Sequence, residues 1–219
     1  NYYFDCGAGS NFIPEPNNPP TFGLPQNMTV GVYAHNNTND IYPTIDTDFS
    51  KYGLFLGDSL VEGMFDPRPY GLNNWVAIGQ DSQTTECLNN ELAHFLKLKP
   101  REILLYIGGN DADRNVPLAK ICKNLESIVI KVKRKNIPVS ISEIHYGLDE
   151  RRKRTLVAEV NKCITSIAQK HDVKKISTPV QLTFKNLKEA QVMSVDGEHL
   201  NHRGYSTWVN HIKETMEYN

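Results

Sequence analysis

The stretch Tyr52-Gly53-Leu54-Phe55-Leu56-Gly57-Asp58-Ser59-Leu60 is the most informative in the chain. Its apolar half has the length of a buried strand, and the Gly-Asp-Ser sequence ends that strand where a helix is expected to begin. Such a turn puts the Ser59 hydroxyl at the carboxyl edge of a sheet, beside the free amides and the positive end of the helix. The setting suits a nucleophile whose attack produces an oxyanion, although Ser59 alone could be a helix N-cap.

From this strand onward, apolar runs of strand length alternate with longer amphipathic segments. Strands are predicted at 52–56, 75–78, 102–107, 137–142 and 173–176, and helices at 84–98, 117–135, 150–171 and 203–216. The alternation predicts an α/β fold with a parallel sheet, and strands that are apolar throughout fit helices on both faces. In such sheets the site lies beyond the carboxyl ends of the strands, so the residues after the first three strands should converge.

The composition is that of a globular protein, with 219 residues, 39% of them apolar, and a formal net charge of −1. This length supports one domain with a good core. The near-neutral charge argues against a nucleic-acid partner, and no apolar run reaches the roughly 20 residues of a membrane span. No cofactor is expected, and the sequence leaves the oligomeric state open.

Residues 1–50 differ from the main domain, which is expected at 51–219. Five prolines fall between residues 11 and 25, so an extended or irregular segment is predicted there, either a strap or a small subdomain. A short strand is predicted at 29–33. The chain starts at Asn1 rather than Met, which indicates a processed form or a fragment. Together with the polar N-terminal segment, the start at Asn1 favours a secreted, periplasmic or cell-surface protein.

Four cysteines, Cys6, Cys87, Cys122 and Cys163, show no metal-ligand spacing, and no metal site is expected. Three of them fall in predicted helices, where buried free thiols are expected. The even count also allows disulfides, whose pairing the sequence does not give.

Two more polar segments lie where the predicted fold would bring them to the same sheet edge as Ser59. Gly108-Gly109-Asn110-Asp111 comes after the third strand, and Asp196-Gly197-Glu198-His199-Leu200 precedes the last helix. An Asp three residues before a His can hold the imidazole Nδ1, which leaves Nε2 free to take a proton from a serine. A serine needs such a base to become a good nucleophile, and its oxyanion needs donors such as the Asn110 amide, the Ser59 N–H or an amide after the second strand.

Other readings of these residues remain. Asn110 could be a turn residue, and His202 competes with His199, although the Asp-x-x-His spacing favours His199. Glu198 could be a second carboxylate but is expected to face solvent.

These blocks resemble the SGNH (GDSL-type) hydrolase family over about residues 52–217. The resemblance implies a flavodoxin-like three-layer sandwich with a five-stranded parallel sheet. It also implies Ser59 as nucleophile, His199 as base, Asp196 as orienting carboxylate and Asn110 as oxyanion donor. The family's second block corresponds to the loop after the second strand, Gly79-Gln80-Asp81-Ser82-Gln83-Thr84-Thr85, and departs from the family pattern. The glycine whose amide completes the family's oxyanion hole falls at Ser82 here, with Gly79 as second choice. A backbone amide survives this change, so Ser82 is expected to donate.

The family contains esterases, lipases, thioesterases and carbohydrate O-acetylesterases. The sequence therefore predicts a cofactor-free serine ester hydrolase that works through an acyl-enzyme. Short loops favour short acyl chains, such as O-acetyl groups on a carbohydrate. The alternatives are a lipase or thioesterase for longer chains, an acyltransferase to a glycan hydroxyl and, against the intact blocks, a binding module.

The sequence also predicts the surroundings of several residues near these blocks. His145 follows the fourth strand and is expected to be a surface or structural histidine, with a place at the cleft as the alternative. Asp58 and Asp111 are expected to hold loops by hydrogen bonds. The large apolar side chains Met64, Phe65, Trp75 and Trp208 are expected in the core.

Overall fold

A five-stranded parallel sheet forms the centre of the protein in the computed structural model, which describes residues 48–148 and 154–217. The strands are β1 (Gly53–Gly57), β2 (Trp75–Gly79), β3 (Glu102–Tyr106), β4 (Val139–Ser142) and β5 (Lys174–Ile176). Their order is β2-β1-β3-β4-β5, and each neighbouring pair is parallel. This is the flavodoxin-like order, so the predicted fold class is confirmed.

Seven α-helices lie among these strands in the described part of the chain. They are α1 (Ser59–Glu62), α2 (Thr85–Lys97), α3 (Gly109–Asp113), α4 (Leu118–Lys133), α5 (Arg154–His171), α6 (Leu187–Ala190) and α7 (His202–Met216). The four predicted helices are α2, α4, α5 and α7, while α3 and α6 are too short to show a helical period in the sequence. None of the helices in the described ranges is long and apolar enough to cross a membrane.

The helices cover both faces of the sheet because successive strands are added first on one side of β1 and then on its other side. It passes from β1 to β2 on one side and then returns past β1 to β3, β4 and β5. Right-handed crossovers therefore put α1 on one face and α2, α4 and α5 on the other, where they pack side by side. α7 joins α1, because the Tyr205 hydroxyl donates a hydrogen bond to the Leu60 carbonyl at 2.9 Å.

The strands are buried on both faces, as their apolar sequences predict. Phe55 and Tyr106 point toward α7, where their rings meet Trp208 at 5.2 and 4.7 Å between centroids. Leu54 and Leu56 point to the opposite face and are fully buried. Each such side chain contributes about 1.5–3 kcal/mol by leaving water, so the strand ends are rigid supports for the loops that follow them.

A disulfide between Cys122 and Cys163 joins α4 to α5, with 5.9 Å between the Cα atoms. The expectation that the helical cysteines are free thiols is therefore wrong for this pair, and it is wrong for Cys87, which is also disulfide-bonded. The two positions are separated by 41 residues and meet only because α4 and α5 pack together. The predicted segment at 1–50, apart from 48–50, and the predicted strand at 29–33 lie outside the described residues.

Candidate active site

Ser59 opens α1 directly after β1. Asp58 is the N-cap of this helix, and its Oδ1 accepts a hydrogen bond from the Leu60 N–H at 3.1 Å. The loop-holding role expected for Asp58 is therefore observed, and it leaves Ser59 at the first position of the helix, half-buried at the sheet edge. The N-cap is thus Asp58, and the Ser59 hydroxyl is turned to another partner.

That partner is His199. The His199 Nε2 lies 3.1 Å from the Ser59 Oγ, and its Nδ1 lies 2.6 Å from the Asp196 Oδ2. A carboxylate only accepts, so Nδ1 carries the proton and the neutral ring presents its Nε2 lone pair to the serine. The three residues that the sequence singled out from two distant blocks thus form one continuous hydrogen-bonded chain.

The turn 194–199 fixes the Asp196 carboxylate. Its Oδ1 accepts from the backbone N–H groups of Glu198 at 2.9 Å and His199 at 2.7 Å. Ser194 supports the same turn, because its hydroxyl accepts from the Gly197 N–H at 2.8 Å and donates to the His199 carbonyl at 2.7 Å. Sequence reasoning missed Ser194; a serine two residues before the Asp of a turn was the available signal.

The pKa values of this pair move in opposite directions. Burial lowers the pKa of the His199 imidazole, but the hydrogen bond and charge of Asp196 outweigh it, so the net pKa is raised above the ordinary value. Burial raises the pKa of the Asp196 carboxyl, but its hydrogen bonds from His199 and from the turn bring the net pKa below the ordinary value. The pair therefore favours an ionised Asp196 that can stabilise an imidazolium.

Asn110 lies in α3, at the same edge as Ser59. Its Nδ2 donates to the Gln83 carbonyl at 3.0 Å, which fixes the carboxamide and uses one of its two N–H bonds. Gln83 is itself held, since its Nε2 donates to the buried Glu91 carboxylate at 3.0 Å. The structure thus brings Asn110 to the loop after β2, where the sequence predicted the second amide donor.

Ser82 lies in that loop in the left-handed conformation, with φ of 59°. Only glycine adopts this region without strain, which explains why a glycine is usual in this block. The Ser82 carbonyl accepts from the Arg114 Nη2 at 3.0 Å, so the peptide after Ser82 is held from the α3 side.

Gly79 is the last residue of β2. A Cβ there would lie 2.1 Å from the Glu62 nitrogen and 2.5 Å from the Asp58 carbonyl oxygen. The glycine at this position is therefore required by the close approach of β2 to the start of α1.

The neighbouring side chains have distinct surroundings. His202 is exposed, with its ring 5.1 Å from that of Tyr70, and it is not part of the Ser59 hydrogen-bonded chain. His145 is buried and hydrogen-bonded, which excludes the surface position and agrees with the structural one of the two readings that the sequence predicts. Phe65 is 47% exposed at a φ of 58°, so its expected place in the core is wrong, whereas Met64, Trp75 and Trp208 are buried as expected. Among the described residues, no group of three or more His, Cys, Asp or Glu side chains could hold a metal ion.

Solved structures with this fold are numerous. A GDSL-like lipase from Bacteroides thetaiotaomicron VPI-5482 superposes with a TM-score of 0.66 at 18% identity, over 77% of this chain and 88% of its own. A lipase/acylhydrolase from Enterococcus faecalis gives 0.60 at 23% identity, over 76% and 94%. The acetyl xylan esterase AlAXEase gives 0.63 at 17% identity, over 74% and 98%.

At these identities the structures establish the fold alone. No curated protein sequence matches the chain. The sequence model of the GDSL-like Lipase/Acylhydrolase family matches residues 55–206, which include the serine, asparagine and histidine blocks. Because this match spans most of the chain, the protein belongs to the GDSL-like Lipase/Acylhydrolase family.

Proposed function

We propose that the protein is a serine ester hydrolase in which Ser59 is the nucleophile, His199 the general base and Asp196 the residue that orients His199. The observation that carries this proposal is the chain from Asp196 Oδ2 through His199 to Ser59 Oγ, with links of 2.6 and 3.1 Å. Membership of an acylhydrolase family supports the same reaction class. The geometry matches the requirement that the base reach the proton it removes, within about 2.6–3.2 Å.

In the first half of the reaction, the Ser59 Oγ attacks the ester carbonyl carbon while its proton passes to the His199 Nε2. The carbonyl oxygen becomes an oxyanion, and the Asn110 carboxamide and the Ser82 and Ser59 N–H groups are the proposed donors to it. The imidazolium then gives its proton to the leaving alcohol oxygen as the C–O bond breaks. An acyl-serine remains, and the alcohol departs.

In the second half, water attacks the acyl-serine. His199 removes a proton from the water, and the hydroxide adds to the acyl carbon. The tetrahedral intermediate collapses, and His199 returns the proton to the Ser59 oxygen, which releases the carboxylic acid. The ionised Asp196 stabilises the imidazolium in both halves.

The proposed substrate is a short-chain ester, with O-acetyl groups on a carbohydrate as the favoured class. Two observations support this choice. Asp58 alone separates β1 from α1, and two residues separate β3 from α3, so these loops provide little apolar wall for a long acyl chain. An acetyl xylan esterase shares the fold, at low identity.

A panel of p-nitrophenyl esters of rising chain length tests both parts of the proposal. Wild-type protein should hydrolyse the acetate fastest, release acetate from acetylated glycans, and label with a fluorophosphonate. The Ser59→Ala variant should lose all three properties, and equal hydrolysis by this variant would exclude Ser59 as nucleophile. Peak activity at eight or more carbons would instead indicate a lipase or thioesterase. Transfer of acetyl to an added glycan would indicate an acyltransferase.

An extracytoplasmic location is part of the proposal. Its support is the Cys122–Cys163 disulfide, since such bonds form and persist mainly in oxidising compartments. Fractionation of the producing cells tests it: the protein should appear outside the cytoplasm with no free thiol at these two positions. Recovery of the fully reduced protein from the cytoplasm would contradict it.

A further inference from the structure

His145 is a buried histidine outside the proposed triad, on the segment 143–148 that follows β4. It is only 2% exposed. Its Nδ1 lies 2.5 Å from the Tyr106 hydroxyl, and its Nε2 lies 3.0 Å from the Glu198 carbonyl oxygen. Its backbone N–H donates to the same Tyr106 oxygen at 3.3 Å. The ring therefore connects the end of β3 to the turn that carries His199.

The partners of His145 fix the protonation of its ring. A carbonyl oxygen only accepts, so the bond to Glu198 requires a proton on Nε2. In the neutral ring Nδ1 then accepts from the Tyr106 hydroxyl, whose oxygen accepts the backbone N–H. Both ring nitrogens are thus used in the neutral form, and the imidazole acts as a fixed donor to Glu198.

The Glu198 carbonyl belongs to the peptide group that leads into His199. The N–H of the same peptide group donates to the Asp196 Oδ1 at 2.7 Å. Because a peptide group is planar, a bond at each end fixes its orientation. His145 holds the carbonyl end and Asp196 holds the amide end, so together they set the direction in which the chain enters His199.

The preceding peptide group is held in the same way. Its Gly197 carbonyl accepts from the Leu148 N–H at 3.1 Å, and its Glu198 N–H donates to the Asp196 Oδ1 at 2.9 Å. Two successive peptide groups are thus bonded by Asp196 on one side and by the segment 143–148 on the other. The His199 turn gains its shape from β4 as well as from its own carboxylate.

We propose that His145 is a positioning residue that directs the His199 imidazole toward Ser59, an inference that rests on the proposed ester hydrolysis. The Ser59–His199 contact of 3.1 Å is near the upper end of the range for a hydrogen bond, so a small outward shift of the ring would break it. A displacement of about 1 Å in a reacting group can cost on the order of 10²-fold in rate. Loss of the His145 donor should therefore lower kcat through His199, with substrate binding preserved.

The test compares His145→Phe with His145→Gln, and uses exposed His94→Gln on α2 as the control. Phenylalanine fills the site but cannot donate to Glu198, so kcat should fall at least tenfold while KM stays within twofold. The acid limb of kcat/KM should also move toward the ordinary histidine pKa, because the Asp196–His199 bond is loosened. Glutamine can donate to Glu198 and accept from Tyr106, so His145→Gln should keep kcat within threefold.

A merely structural role would lower the melting temperature and leave kcat of the folded protein and its pH profile unchanged, and that result would overturn the inference. Equal impairment of His145→Gln and His145→Phe would also overturn it. If His145→Phe does not fold, Tyr106→Phe keeps the packing and removes only the hydroxyl. It should lower kcat at least threefold with the same pH shift, and an unchanged profile would count against the proposal.

Two controls separate this inference from the proposed function. Ser59→Ala is measured in the same assay, and hydrolysis equal to wild type would refute the function irrespective of His145. Proton NMR of the His199 Nδ1–H, shared with Asp196, needs no turnover. Its resonance should shift or broaden in His145→Phe and persist in His145→Gln, and an identical resonance in all three proteins would overturn the positioning role.

Discussion

The carboxylate of Asp111 accepts hydrogen bonds from both the backbone N–H and the hydroxyl of Thr85, at 2.8 and 2.7 Å. Asp111 follows Asn110 in α3, and Thr85 begins α2 two residues after Gln83, whose carbonyl holds the Asn110 carboxamide. The segments after β2 and β3 are thus joined at two adjacent points. The proposed oxyanion donors on these segments therefore form one rigid unit.

Replacing this carboxylate should weaken that unit. In Asp111→Asn the Thr85 hydroxyl has to turn and accept from the new NH2 group, and both contacts lose their charged acceptor, which is worth about 1.5–3 kcal/mol. Urea unfolding should show a loss of about 2 kcal/mol in stability, and kcat should fall because Asn110 is less well held. Stability and kcat equal to wild type would show that the two segments are held without Asp111.

Removing the Asn110 carboxamide should slow the chemical step. A lost oxyanion donor typically costs 10²–10³-fold in kcat, so Asn110→Ala should show a loss of about that size with KM little changed. Steady-state kinetics on p-nitrophenyl acetate measures both constants. Asn90→Ala, an exposed position on α2, is the matched control. A kcat within threefold of wild type would remove Asn110 from the oxyanion site.

The activity should depend on pH through His199. Only the neutral imidazole can accept the serine proton, and the pKa of His199 is raised by Asp196, so kcat/KM should fall below a midpoint above about 6.5. In Asp196→Asn the negative charge that raises the pKa of His199 is gone, so the fall of kcat/KM should occur at a lower pH. The plateau should drop by on the order of 10³–10⁴-fold. An unchanged midpoint of the pH profile would show that Asp196 does not set the pKa of His199.

The raised pKa of His199 affects stability and activity in opposite directions as pH changes. A raised pKa in the folded state means that protonated His199 stabilises the fold fully below the unfolded pKa, and that this contribution is lost as pH rises through the folded pKa. The difference in melting temperature between wild type and Asp196→Asn should shrink as pH rises through this range, and a residual difference should remain at high pH because Asp196 still accepts the backbone N–H groups of the turn. Activity and the stability from this pair thus change in opposite directions.

The Ser82 position should tolerate changes that keep its backbone amide. Ser82→Ala and Ser82→Gly should both retain kcat within about threefold. Ser82→Gly should be the more stable of the two by up to about 1 kcal/mol, because glycine avoids the cost of the left-handed conformation. Kinetics and urea unfolding of the two variants measure this difference. A tenfold loss of kcat in Ser82→Ala would instead assign a role to the hydroxyl.

The disulfide should contribute to stability and not to catalysis. It closes a segment of 41 residues, for which the chain-entropy model gives about 4 kcal/mol. The double variant Cys122→Ser, Cys163→Ser should lose stability on this scale, measured by urea unfolding, and should keep kcat within twofold at 25 °C. A large loss of kcat in the folded double variant would show that the packing of α4 on α5 affects the geometry of the active site.

The sheet and its longer helices were predictable because the strands are short continuous apolar runs and the helices repeat apolar residues with the helical period. β2 and β3 end within a residue of their predicted bounds, and β4 starts at Val139 because Pro138 has no N–H for the ladder. The hydrogen-bonded chain of Ser59, His199 and Asp196 was also foreseeable, since residues that follow parallel strands meet at one edge.

Other features depend on tertiary contacts that no local pattern records. The Cys122–Cys163 pair follows from the docking of α4 on α5, and the supporting bonds of His145 follow from the arrival of β4 beside the His199 turn. Phe65 is apolar, yet its backbone conformation after α1 turns it to the surface. Ser82 shows the reverse case, since the turn imposes a conformation that its residue type does not favour.

The Ser59–His199 contact joins residues that are 140 positions apart. Because closing a loop of this length costs conformational entropy, the contact requires both α1 and the His199 turn to be in place on the sheet. Under the proposed function, a nascent chain that lacks the residues near 200 has a serine without its base and should not hydrolyse esters. Hydrolysis would therefore report the completion of folding, and the onset of activity during refolding would time the docking of the final helix.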